Sequence, residues 1–290
     1  EVVESIGYLT TEITEEAVEF IDQNKDNPFF LYVPHHCPHV PLQVPKDVHD
    51  EYLPLDLGRA TTITRGSQEI LDESVGAILD RLDRYDLTEN TLVIYASDNG
   101  GGERSGQLNW RLRGGKFTLL EGGIRVPTIM SWPGHIPEGR VFEDPVMNLD
   151  FLPTMLAAVG HPMPEEIEGV NLLPYLNGTK TTAPHETLFW KMPENTGEYA
   201  IREGDWKLVY TSVGEGLFNL AEDPNESHDL RAAHLDIAAR LQARYDEWDE
   251  DNKASIWGPE YREKYTVPRE SDNPLENKNY TYSPTFGGGQ

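Results

Sequence analysis

Residues 92–127 limit what this chain can fold into more than any other stretch. They read Leu-Val-Ile-Tyr-Ala-Ser-Asp-Asn-Gly-Gly-Gly, then a basic loop ending Leu-Arg-Gly-Gly-Lys, then Glu-Gly-Gly-Ile-Arg-Val-Pro. Residues 92–96 form a short apolar run, β-branched and aromatic, bounded by polar residues and then glycines, which is the pattern of a buried strand. The strand must stop near Ser97. Neighbouring side chains on a strand point to opposite faces, so Asp98 and Asn99 serve one centre only where the backbone has left strand geometry. Gly100, Gly101 and Gly102 are expected to make that turn by adopting positive φ without a Cβ penalty. A carboxylate beside a carboxamide offers oxygen ligands only, which suits hard divalent cations, Ca²⁺ above all, better than zinc. Taken alone, Asp-Asn-Gly-Gly after a strand also reads as an ordinary turn.

The charge balance makes this loop more informative. The chain has 50 acidic against 24 basic residues, a formal net charge of −26. A surface of that sign argues against nucleic acid and against anionic membranes as partners. No apolar run approaches membrane-spanning length. Yet between Arg104 and Arg125 lie Arg104, Arg111, Arg113, Lys116 and Arg125 against a single acid, Glu121. A local reversal of sign in an acidic protein points to an anion site, with pairing to the acidic surface as the alternative for some of these cations. The 290 residues can bury a sizeable core, and the single cysteine, Cys37, rules out an internal disulfide.

Along the chain, Thr14-Glu15-Glu16 before Ala17, Val18, Phe20 and Ile21 predicts a capped helix start. Residues 29–33 (Phe-Phe-Leu-Tyr-Val) predict a second buried strand, ended by Pro34. The segment that follows, Pro34-His35-His36-Cys37-Pro38-His39-Val40-Pro41, can be neither helix nor central strand. Ile70, Leu71, Val75, Ile78, Leu79 and Leu82 predict an amphipathic helix over about residues 64–85. Strand, crossover helix and strand are the βαβ pattern of a parallel sheet, whose ligands collect beyond the carboxyl ends of its strands. A strand over residues 124–132 follows, then a helix capped by Asp150 and running to Gly160. A proline- and glycine-rich connection covers residues 161–180. Short strands at 188–191, 199–202, 206–210 and 217–220 predict a small antiparallel sheet, and a helix follows over about residues 230–248. The expected organisation is thus an α/β core over residues 1–180, an antiparallel-sheet subdomain with a helix over 181–250 and a polar tail over 251–290.

The order Ser-Asp-Asn-Gly-Gly, Leu-Arg-Gly-Gly-Lys, Glu-Gly-Gly-Ile-Arg-Val-Pro resembles the sulfatase family of the alkaline-phosphatase superfamily. So do Pro-Phe-Phe-Leu-Tyr-Val with Pro-His-Val-Pro, and Trp-Lys-Leu-Val with Leu-Phe-Asn-Leu and Glu-Asp-Pro. The resemblance implies an alkaline-phosphatase-like, mostly parallel α/β sheet flanked by helices, here partial, with the small C-terminal antiparallel sheet. It implies Asp98 and Asn99 as ligands of Ca²⁺, Lys116 as a contact to the substrate's sulfate, and His39, the histidine between prolines, as the group assisting the leaving alkoxide. His35 and His36 are read as loop residues. Trp110 and Arg111 lie in the loop expected to face a sugar, although an exposed tryptophan can equally be packing. The implied activity is hydrolysis of a sulfated carbohydrate or aryl ester, in the periplasm or outside the cell.

The family's nucleophile, a formylglycine, arises from a motif reading Cys or Ser, any residue, Pro, any residue, Arg. No such motif occurs here: Cys37 is followed directly by Pro38, and Ser131-Trp132-Pro133-Gly134 ends in His135. The paired aspartates that complete the calcium shell are also missing, so an isolated copy is expected to hold the ion weakly. The expectation is an N-terminal segment removed or lying elsewhere, or a partner chain that completes the site. The competing readings are phosphate or phosphonate ester hydrolysis within the superfamily, and a non-catalytic remnant or subunit that binds sulfated glycans.

Overall fold

A computed structural model describes residues 7–102, 106–107, 109–192, 196–253 and a strand at 280–283. In chain order the helices and strands are α1 (Leu9–Asn24), β1 (Leu42–Pro45), α2 (Lys46–Tyr52), α3 (Arg59–Arg84), β2 (Val93–Ala96), α4 (Glu121–Ile124) and β3 (Thr128–Ser131). They continue with α5 (Phe151–Ala158), α6 (Leu173–Leu176), β4 (Thr187–Lys191), β5 (Tyr199–Glu203), β6 (Trp206–Thr211), β7 (Gly214–Asn219), α7 (Leu235–Glu250) and β8 (Tyr280–Ser283). Two compact units emerge: one comprises residues 1–91, 102–108 and 270–290, the other residues 92–101 and 109–269. No helix among the described residues is long and apolar enough to cross a membrane.

In the first unit, the three- and four-residue spacing of apolar positions on α3 buries Ile63, Ile70 and Leu82, and β1 adds Leu42 and Val44 from alternate positions. Small residues on α3 let its neighbours come close. A Cβ on Gly66 would stand 3.1 Å from side-chain carbons of both Val44 and Val48. Thr14 Oγ1 lies in hydrogen-bond contact with Ser74 Oγ at 2.6 Å, and Arg81 pairs with Asp22, so α1 and α3 are joined by polar bonds as well as by packing. The helix α1 starts at Leu9, earlier than the acidic turn at Glu15 suggests. Thr14 is therefore internal and satisfies its hydroxyl on Thr10 O instead of capping.

The expected strand at residues 29–33 is not one. Exposure alternates residue by residue there, as on a strand, but the segment carries no sheet hydrogen bonds among the described residues, and Phe30 and Tyr32 stand exposed. An apolar alternation reports which faces a segment wants to bury; it does not supply the neighbour that would hold it in a ladder. The expected parallel pairing is accordingly not what β2 makes. Its partner is β3, antiparallel, with Val93 opposite Ser131 and Ala96 opposite Thr128. From the expected tail, residues 280–283 pair antiparallel with β1, and residues 254–279 and 284–290 lie outside the described residues.

The second unit is built on the four-stranded antiparallel sheet β4-β5-β6-β7, whose strand positions agree closely with the hairpin signals in the sequence. Its two faces are both covered. On one, Ile201, Leu208 and Leu217 pack against Leu241 and Tyr245 of α7. On the other, Ala200, Val209, Phe218 and Leu220 pack against Leu119 and Leu120, which immediately precede α4. Burying an apolar side chain of this size fully contributes roughly 1.5–3 kcal/mol. The sheet thus anchors the loop that carries Lys116.

Candidate active site

The strand β2 ends at Ala96, and Ser97 N still donates to Pro127 O at 3.1 Å before the chain turns away. The turn is held locally: Ser97 Oγ donates to Asn99 O at 3.0 Å, and Asn99 N donates to Asp98 Oδ1 at 3.0 Å. Asp98 is exposed and Asn99 half-buried. The glycines that follow work differently from the expectation. Neither Gly100, Gly101 nor Gly102 has positive φ. Gly100 is required for close approach, since a Cβ there would lie 1.8 Å from Gly122 O. Its own N–H donates to Gly123 O at 2.9 Å.

Lys116 belongs to the same small structure. Its backbone N donates to Gly101 O at 3.1 Å, and Asn109 closes the space between the two segments. Asn109 Oδ1 accepts from Gly101 N at 2.7 Å, while its Nδ2 donates to Gly101 O at 3.0 Å and to Gly114 O at 2.9 Å. Asp98, Asn99 and Lys116 are therefore carried by two backbone segments tied together through Gly101. Lys116 Nζ stands 5.4 Å from the Phe117 ring centroid, and Arg111 Cζ lies 4.4 Å over the exposed Trp110 ring. Trp110 and Phe117 both adopt positive φ, at 44° and 73°, an uncommon conformation for aromatic residues.

The rest of the basic cluster divides. Arg113 donates to backbone carbonyls, to Glu226 O at 2.8 Å and to Val213 O at 3.3 Å, and so has a structural task. Arg125 faces Glu121 at 3.9 Å. Arg104 lies outside the described residues.

His39 belongs to the other unit, where it is exposed. Its Nδ1 is 2.8 Å from Val40 O, and because a carbonyl only accepts, Nδ1 carries the proton and Nε2 is left as the free position. The His36 ring meets it edge-on at 5.3 Å. Burial, with His39 adding to it, holds the His36 pKa below the usual histidine value. His35 is half-buried, with Nε2 3.0 Å from Ser74 Oγ, and burial lowers its pKa too. Cys37 Sγ donates to Ser67 O at 2.9 Å, and burial pushes its thiol up, away from the thiolate that a reactive cysteine needs.

Asp98 and Asn99 offer the oxygen donors a hard cation prefers, but two side chains fall short of the six to eight ligands Ca²⁺ takes. Among the described residues there is no group of three or more His, Cys, Asp or Glu placed to hold a metal. The chemistry of the pair fits; the donor number among the described residues does not.

Three residues of consequence are not visible as such in the sequence: Asn109, Glu226 and Lys207. A lysine inside the strand run Trp-Lys-Leu-Val is the one available signal, because Lys207 alternates with Leu208 and so had to face inward on one side of the sheet.

A family model described as Sulfatase matches residues 3–161, and one described as N-sulphoglucosamine sulphohydrolase, C-terminal, matches residues 113–251. Steryl-sulfatase of Homo sapiens is 37% identical over 195 residues, covering 64% of this chain and 32% of that protein. Arylsulfatase A of Bos taurus is 32% identical over 251 residues, covering 76% and 48%. The crystal structure of Ps i-CgsB in complex with k-i-k-neocarrahexaose superposes with a TM-score of 0.83 at 30% identity, covering 91% of this chain and 60% of that one. The chain therefore spans less than two thirds of the length of each of these relatives.

Proposed function

The chain belongs to the sulfatase family, with its alkaline-phosphatase-like α/β fold, and from that premise we propose that it contributes the sulfate-binding half of a sulfuric ester hydrolase. The observation that carries the reading is the tie between the Asp98-Asn99 turn and the Lys116 loop through Gly101 and Asn109. Lys116 offers an ammonium group to the sulfate oxygens. His39 in its doubly protonated form, with Nδ1 held on Val40 O, would give its Nε2 proton to the departing alkoxide and be left as the neutral ring. Positive charge preorganised where negative charge develops is usually the largest catalytic contribution. Asp98 and Asn99 would hold Ca²⁺ together with oxygen donors beyond the described residues; the ion, when bound, supplies further positive charge at the sulfate. The nucleophile likewise belongs to the part of the family's length that this chain does not span.

The substrate we favour is a sulfated carbohydrate, because Trp110 offers an exposed ring face with the Arg111 cation already stacked on it. An exported enzyme, periplasmic or secreted, accords with such a substrate. The competing phosphate-ester reading is disfavoured by the carboxamide at Asn99, where two-zinc phosphatases place a histidine. Turnover of an aryl sulfate and of the matching aryl phosphate by the protein expressed from its complete coding sequence, with and without a calcium chelator, separates the two. The sulfate ester should be preferred by at least about 100-fold and its hydrolysis lost on chelation. A preference for the phosphate would reject the proposal.

A further inference from the structure

Behind the Lys116 loop lies a buried ion triad that the proposed chemistry does not use. Lys207 and Glu226 are 0% exposed and Glu121 is 2% exposed. Charges taken so completely out of water persist only with close partners, and breaking such a set is far more damaging than removing an exposed pair. Lys207 Nζ donates to Glu121 Oε1 at 2.8 Å and lies 2.8 Å from Glu226 Oε1, a contact that lacks hydrogen-bond alignment. Burial pushes the Glu226 carboxyl above its usual range, and Lys207 pulls against it.

What the triad grips is the loop itself. Glu226 Oε2 accepts from Glu121 N at 2.6 Å, and Glu226 O accepts from Arg113 Nη1 at 2.8 Å. Gly122 N donates to Arg113 O at 2.8 Å, closing the same ring of bonds. Residues 113 and 121 bracket Lys116, so one residue holds both ends of the segment that carries it. Glu226 does this from a left-handed backbone conformation, φ 53°, which a non-glycine residue keeps only where its surroundings fix it. This clamp holds the loop to Gly101 together with the Asn109 bonds, the Lys116 N bond to Gly101 O and the packing of Leu119 and Leu120.

We propose that Glu226, seated by Lys207, is a positioning residue that fixes the Lys116 ammonium for sulfate binding, an assignment that rests on the sulfatase reading above. The test is a double-mutant cycle on the protein expressed from its complete coding sequence, reading kcat/KM for an aryl sulfate in wild type, Glu226→Gln, Lys116→Ala and the double variant. A residue that acts through Lys116 loses its effect once the ammonium is gone. Glu226→Gln should lower kcat/KM about tenfold in the wild-type background and less than about twofold in the Lys116→Ala background. An equal loss in both backgrounds, or no loss in the wild type, overturns the proposal. Should Glu226→Gln fail to fold, Arg113→Met, which releases only the other end of the clamp, takes its place in the same cycle with the same criteria. If the wild-type protein releases no sulfate, the sulfatase reading fails separately, and amide hydrogen exchange decides the clamp. Glu226→Gln should then speed exchange at residues 114–121 by about tenfold or more while Ile201, Leu208 and Leu217 stay protected. Uniform acceleration, or none, contradicts it.

Discussion

Asn109 is the residue on which the local geometry turns, because a single carboxamide satisfies the N–H and C=O of Gly101 and the C=O of Gly114. Backbone groups in a loop this tight have few other partners, and each one left unsatisfied when buried costs about 1–3 kcal/mol. Asn109→Ala should therefore lower the stability of the loop and reduce kcat/KM for an aryl sulfate by about tenfold or more, through the displacement of Lys116. Steady-state kinetics alongside thermal unfolding check this, and unchanged kcat/KM would remove Asn109 from the account. Part of this was legible in the sequence. The glycines announce a turn after β2, but the reason for Gly100 is not a backbone angle; it is that a Cβ there would stand 1.8 Å from the carbonyl oxygen of Gly122, more than 20 residues away, which no local pattern encodes. The same holds for Glu226, whose partners Arg113 and Glu121 lie more than 100 residues from it in sequence.

At the scale of elements, the four strands of the antiparallel sheet could be read from alternation and punctuating glycines because both of its faces are packed within the unit. Residues 29–33 carry as strong an apolar signal and make no ladder among the described residues, since composition fixes the preference for extended backbone and not the presence of a neighbour. The seam between the sheet and α7 is also electrostatic. Glu203 at the end of β5 pairs with both Arg240 and Arg244 of α7. Burial opposes ionisation of Glu203, but Arg240 and Arg244 outweigh it and hold its pKa below the usual carboxylate range. The stabilisation is present at neutral pH, above the unfolded-state pKa, and is lost as pH falls through the lower folded-state value. Glu203→Gln should cost about 1 kcal/mol at pH 7, and the difference from wild type in urea unfolding should vanish once the pH has fallen through the lowered folded-state pKa of Glu203. A difference that persists in acid would show that packing, not charge, holds the seam.

At the scale of the whole molecule, a chain with 50 acidic against 24 basic residues sets Arg111 and Lys116 in one loop, which accords with the proposed capture of an anion. Family membership was legible because three short motifs keep their order and spacing over residues 97–127. The substrate was not, because Trp110, the residue proposed to face it, lies outside those motifs. The most direct measurement of the central claim is sulfate release from an aryl sulfate by the protein expressed from its complete coding sequence, compared with its Lys116→Ala variant. Loss of one preorganised cation at the developing charge should reduce kcat/KM by about 100-fold or more without a matching fall in thermal stability. Activity within about twofold of wild type would contradict the assignment of Lys116 to the sulfate, and with it the account of this site.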